Sequence, residues 1–206
     1  MEENRNYIGK PIGVDKLTFF PITKENDTET TYGAAVKVAR TISINLNPTM
    51  VDTDLDSDDT SEDNSSILTA IEVTVNVSQL TDEIRAKLLG HKLDAKGGII
   101  TKSNDVAPYG AIAWEELLSR VGGGDQHSKR VVLYRGRFKE FAETAETKKK
   151  SSVTLQTHTI TGTFYPRPND GALKYSMRSD TGAYSSVTFN SWFTSPQETS
   201  DTKEVV

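Results

Sequence analysis

Alternation of apolar and polar positions dominates this chain and predicts β-strands along most of it. The clearest stretch is Ile67 to Val77, with Ile67, Ile71, Val73, Val75 and Val77 on one face and Glu72, Thr74 and Asn76 on the other, the period-two pattern of a half-buried strand. Tyr32 to Leu46 supplies one or two more strands, clearest where Ile42, Ile44 and Leu46 share a face, and Asn47-Pro48 is expected to end them. Ile12 to Thr23 predicts a first strand, which Pro21 restricts to an edge, a bulge or an end. Further strands are predicted within Pro108 to Leu118, across Arg130 to Phe141, and from Ser152 to Tyr165, where Val153, Leu155 and Thr157 alternate with Thr154, Gln156 and His158. Ala172 to Met177 and Ser186 to Phe193 read as shorter ordered segments, followed by a polar tail over residues 195–206.

One segment has helical spacing. In Gln79 to Gly90, Ile84, Leu88 and Leu89 lie on one stripe. Thr81 can cap the orphan N–H groups, Asp82 and Glu83 oppose the positive end of the dipole, and Gly90 suits a left-handed exit. The elements together predict a mainly β chain: an antiparallel β-sandwich or barrel with one flanking α-helix over about residues 81–89, and long loops or arms. Residues 1–206 are expected to form a single domain.

Between two strand candidates the character changes sharply. Asp52, Asp54, Asp56, Asp58, Asp59, Glu62 and Asp63 place seven acids in twelve residues, which no buried strand tolerates. Residues 50–66 are therefore expected to be an exposed acidic loop or hairpin, one too long for a tight turn. The rival reading is a solvated acidic loop that touches nothing.

Composition narrows the rest. Cysteine is absent, so no disulfide framework or thiolate metal site can form, which suits a reducing cytoplasm. No stretch approaches the roughly 20 apolar residues that cross a bilayer, and Met1 to Thr30 lacks the apolar run of a signal peptide. With 29 Asp and Glu against 24 Lys and Arg, binding of nucleic acid through net charge is not expected.

Candidate chemistry is sparse. Asp52, Asp54 and Asp56 sit where a calcium loop places its first carboxylates, but position six would be Ser57 instead of Gly and position twelve Asp63 instead of a bidentate Glu. His91, His127 and His158 lack zinc-motif spacing. Gly122-Gly123-Gly124-Asp125 lacks the Gly-Lys-Ser/Thr ending of a phosphate loop, and no nucleophile elbow accompanies the many Ser and Thr residues. The expectation is a protein with no catalytic residues, no metal and no cofactor. Lys148, Lys149 and Lys150 read as a charged hairpin turn, alternatively as a contact for an acidic protein surface.

The run Leu80-Thr-Asp-Glu-Ile-Arg-Ala-Lys-Leu-Leu-Gly-His91, followed by Gly97-Gly98, Ala107-Pro-Tyr-Gly-Ala-Ile-Ala-Trp-Glu115 and Val131-Val-Leu-Tyr-Arg-Gly-Arg-Phe138, resembles the major tail proteins of siphophages in order and spacing. Tyr32 to Val38, Leu55 to Asp59 and Ser152 to Thr157 extend the likeness, which covers about residues 30 to 165. None of these motifs is catalytic. The resemblance implies a β-sandwich with a flanking helix that forms hexameric rings, and rings that stack into the tail tube through which DNA is ejected. It implies as partners other copies of the chain, the tape measure protein, further tail proteins, and phage DNA passing without sequence-specific binding. The implied location is the virion tail, with the host cytoplasm during assembly and no membrane. If each of six subunits gave about four strands to a shared barrel, its backbone diameter would be roughly 45–50 Å. A lumen of net negative potential would let phosphates slide.

On this reading the candidate inter-subunit contacts are Asp52, Asp54, Asp56, Asp58, Asp59, Glu62 and Asp63, with Lys148, Lys149 and Lys150 among their partners. The competing class is a non-enzymatic β-sandwich binding module that recognises a receptor or surface; an aromatic-rich exposed loop would favour it, and the loop here is acidic instead.

Overall fold

A computed structural model describes residues 9–38, 40–57, 60–120, 125–143, 157–181 and 185–198, with 53–57 and 60–65 as backbone. The chain is mainly β and antiparallel, as its pattern predicts. Strand β1 (Pro11–Glu25) is followed by β2 (Thr30–Tyr32), β3 (Val36–Lys37), β4 (Thr41–Ser57) and β5 (Thr60–Val77). Helix α1 (Asp82–Leu89) leads to the short strands β6 (Lys92–Leu93) and β7 (Ile99–Ile100). Then come β8 (Gly110–Leu118), β9 (Ser128–Phe138), β10 (His158–Tyr165), β11 (Lys174–Arg178) and a second helix, α2 (Ser186–Ser191). Among the described residues no helix is long and apolar enough to cross a membrane.

Among the described residues nine strands form one sheet in the order β2-β1-β8-β9-β10-β5-β4, with β3 also on β1 and β11 also on β9. These strands do not close into a barrel. It curls over a common core instead: Val14 and Val36 from one end and Ile44 and Leu46 from the other pack on the cluster that contains Trp114, Val131, Leu133, Val73 and Val75. Leu88 and Leu89 of α1 complete that cluster. A second cluster covers the opposite face, where Phe20, Ala111, Ala113, Val132 and Tyr134 meet Trp192 beyond α2. Strands β8 and β9 are thus buried on both faces. This explains why Ala111-Ile-Ala-Trp114 carries no alternation, since a strand covered twice reads as a continuous apolar run.

Gly110 and Gly136 face each other across β8 and β9. A Cβ would come within 2.3 Å of the Phe19 ring at Gly110 and within 2.4 Å of the Phe164 ring at Gly136, so these aromatic rings lie directly over bare backbone.

Helix α1 forms as its sequence signals direct. Thr81 Oγ1 accepts from the Ile84 N–H at 3.4 Å, and Gly90 ends the helix at φ 77° with its N–H donated to Ala86 O. Pro21 sits where the β1–β8 ladder ends at Gly110 and the β1–β2 ladder begins at Ile22, in keeping with the restriction on a strand proline.

Several expectations are corrected. Asn47-Pro48 does not end the strand: Pro48 pairs with Ile71 in mid-ladder. Among the described residues strand β4 has a ladder partner on one side only, so a proline without an N–H is tolerated there. Ile42 does not share the buried face of Ile44 and Leu46; the ladder steps from Thr41–Val77 to Ser43–Asn76, making Ile42 the extra, exposed residue of a bulge. Ile67 is likewise exposed, because Thr69 is the extra residue between the pairs Thr49–Ala70 and Met50–Leu68. Among the described residues two helices flank the sheet, one more than expected, with Ser185 capping the second by accepting from the Thr188 N–H. The start of the polar tail is packed down: Tyr134 donates its hydroxyl to Gln197 O at 2.6 Å, and the buried Arg167 pairs with Glu198 at 2.9 Å. Residues 152–156 of the predicted last long strand, Gly122-Gly123-Gly124, and the tail from 199 onward lie outside the described residues.

Candidate functional site

The acidic segment is a two-stranded arm. Strands β4 and β5 keep their ladder past the body of the sheet, pairing Met50 with Leu68, Val51 with Ile67, Asp52 with Ser66, Asp54 with Asn64, Leu55 with Asp63 and Ser57 with Thr60. The eight residues from Met50 to Ser57 reach about 26 Å. At the root of the arm Thr69 donates its hydroxyl to Thr49 O at 3.0 Å, fixing the bulge. Farther out Ser66 donates to Asp52 Oδ1 at 2.6 Å.

Exposed apolar side chains gather at this root. Met50 is 47% exposed, Val51 48%, Ile67 55% and Leu68 39%. They form two successive cross-strand pairs, Met50–Leu68 on one face of the ribbon and Val51–Ile67 on the other, so each face of the root exposes an aliphatic pair next to the acidic stretch. Such a pair offers apolar surface that a partner can cover. The acids alone drew attention in the sequence. The four aliphatics were missed because alternation assigned Ile67 to the core and gave Met50, Val51 and Leu68 no role.

Of the sequence-predicted contacts, Asp52 lies on the arm with its side chain described, Asp54, Asp56 and Asp63 pair in its backbone ladder, and Glu62 is the extra residue between the pairs Leu55–Asp63 and Asp56–Ser61. Asp58, Asp59, Lys148, Lys149 and Lys150 lie outside the described residues. The described flanks of the lysine segment are at the other end of β5: the Phe141 and His158 rings are 6.3 Å apart, and His158 pairs with Val77. Nine residue steps lead from Leu68 to Val77 on β5, about 30 Å of strand.

The sheet carries unpaired edges as well. Among the described residues β4 pairs only with β5, its start lying close to β1, and the opposite edge ends in the three-residue strand β2. An open edge presents free N–H and C=O groups to any extended chain that approaches it.

Two charged networks brace the body around these surfaces. Glu115, buried in β8, accepts from Arg130 Nε at 2.7 Å and Ser128 Oγ at 2.9 Å and pairs with Lys16. Burial alone would raise this carboxyl, but the hydrogen bonds from Lys16, Arg130 and Ser128 outweigh it and hold the group below the usual glutamate range. Lys16 is the bulged residue that makes this reach, at φ 57°. At the α1 end, the buried His91 lies 2.9 Å from Asp105 through Nδ1 and 2.9 Å from Glu140 through Nε2. Arg85 pairs with Glu140 at 2.8 Å and with Glu143.

No family model matches the chain, and no curated protein matches it either.

Proposed function

We propose that this chain is a structural, self-assembling protein, the major tail subunit of a siphophage, whose hexameric rings stack into the tube that conducts DNA. The observation that carries the reading is the β4–β5 arm, which projects beyond the core with apolar pairs at its root and acids along its length. Burying the exposed half of each aliphatic against a neighbour contributes on the order of 1 kcal/mol per side chain, which is useful only in an assembly. Open edges at β2 and β4 support the same reading, because head-to-tail pairing of unlike edges closes a ring while an arm leaves the plane to meet the next one. The acidic arm would meet basic surface on that next copy, Lys148 to Lys150 included. Other tail proteins, the tape measure among them, and the passing DNA are partners on this reading, and the virion tail is the place.

Sedimentation of the purified protein with negative-stain imaging tests this. Rings or tubes are expected at high concentration or on addition of a tail-initiation complex. A protein that stays strictly monomeric under both conditions overturns the proposal. Ion pairs at a solvated rim are screened by salt, so stacked rings are expected to loosen as ionic strength rises.

A further inference from the structure

The far end of the molecule holds a second projecting hairpin, built from β6 and β7, whose chemistry complements the arm. Lys92 pairs with Ile100 and Leu93 with Ile99. Leu93, Ile100 and the neighbouring Val106 are exposed apolar residues. Lys92, Lys96 and Lys102 are exposed beside them, and no ion pair engages their ammonium groups among the described residues.

The acids close by are already occupied. Asp94 Oδ1 accepts from the Lys96 N–H at 3.0 Å and the Gly98 N–H at 2.7 Å, so its carboxylate closes the turn, which Gly97 completes at φ 87°. Asp105 accepts from the Lys102 N–H at 2.8 Å and faces His91 Nδ1 at 2.9 Å. Both carboxylates serve the hairpin's own backbone and its seat and keep their charge, Asp105 beside Lys102, so the hairpin carries three exposed lysines against two acids.

The seat is firm. Gly90, where α1 ends, packs so closely that a Cβ would lie 2.3 Å from Val106 O, which ties the loop before β8 to the helix. Arm and basic hairpin therefore stand at opposite ends of β5: the arm begins at Leu68, and α1 with β6–β7 follows Val77.

We infer that the β6–β7 hairpin, with Lys92, Lys96 and Lys102 exposed around Ile100 on the face it shares with Lys92, is the surface on which the acidic arm of a second copy docks. The inference rests on the stacking role proposed above and adds the receptor to it. The acids along the arm would approach the lysines while one exposed pair at its root, Val51 with Ile67, covers Ile100 beside them. Opposite placement on β5 prevents a copy from satisfying its own arm and so favours a polar, head-to-tail stack.

The absence of native cysteine allows a clean test. A double variant, Asp54→Cys with Lys96→Cys, is assembled in the full chain and treated with a short bismaleimide, with Thr28→Cys paired with Lys96→Cys as control. A ladder of crosslinked multimers with loss of the monomer band, absent in the control, is the expected result. Tubes that form normally by electron microscopy yet yield no ladder overturn the inference and leave the tube reading standing. Failure of unmodified protein to form rings or tubes overturns both. As a second readout, Lys92→Glu with Lys96→Glu and Lys102→Glu is expected to abolish stacking, and Asp52→Lys with Asp54→Lys and Asp56→Lys in a co-assembled partner chain to restore it. Stacking that persists in the triple glutamate variant overturns the inference.

Discussion

Strand β5 contains two regions of opposite fate. From Ile71 to Val77 the odd-numbered apolar side chains are sealed between the sheet and α1, while at Ile67 and Leu68 the same strand shows its aliphatics to solvent. The composition is alike: β-branched and aliphatic residues broken by polar ones. Two things separate the regions. Thr69 is a bulge that breaks the alternation, and beyond it the described aliphatics Met50, Val51, Ile67 and Leu68 are exposed. Alternation therefore identifies a strand, but burial is a property of what is packed above it. The inner half of β5 holds the fold together, and the outer half is available to another molecule.

The sharpest way to break the comparison is to damage the sealed half. Trp114→Ala empties a fully buried site in the inner cluster and is expected to cost about 3–5 kcal/mol of unfolding free energy in urea. A loss below about 1 kcal/mol would mean that the core is not closed as described.

Next in size is Glu115→Gln, expected to cost about 3 kcal/mol at neutral pH by leaving Arg130 and Lys16 without their carboxylate. The Glu115 carboxyl titrates lower in the folded chain than in the unfolded one. Its stabilisation is therefore present at neutral pH and lost as pH falls through the acid range below 4.5. The gap between wild type and variant in urea unfolding should shrink from pH 7 to about pH 3; a gap that widens on acidification contradicts the assignment.

Smaller still is Thr81→Ala. Removal of this cap is expected to cost about 0.5–1 kcal/mol, read as a fall in thermal midpoint with the fold otherwise unchanged. This helix was legible because its signals are local: a cap, two acids and a glycine within one short segment decide it. The strands with one covered face were legible for a similar reason. The second helix was not, since Ser186 to Ser191 has six residues and too few turns to show a stripe. The course of β4 through Asn47-Pro48 was hidden because proline breaks a central strand but not an outer one, and sheet order is not written locally. For the candidate site, charge density marked the arm, while its apolar root and the basic hairpin required the register and the far-end packing of the folded chain.

The smallest effect on folding is expected where the effect on assembly is greatest. Val51→Thr with Ile67→Thr replaces one exposed cross-strand pair by residues of similar shape and strand preference. Both side chains already face solvent, so unfolding free energy should change by about 0.5 kcal/mol or less. In an assembly the same positions are buried and would each carry a hydroxyl without a guaranteed partner, which penalises association. Side-by-side urea unfolding and sedimentation separate the two quantities. Unchanged unfolding with loss of stacked species is the result that assigns the arm's root to the interface. Unchanged unfolding with unchanged stacking removes the Val51–Ile67 face from it and leaves the Met50–Leu68 face and the acids to hold the arm. A drop in unfolding free energy of several kcal/mol would show that Val51 and Ile67 are covered by their own chain in solution, erasing the distinction between the two halves of β5.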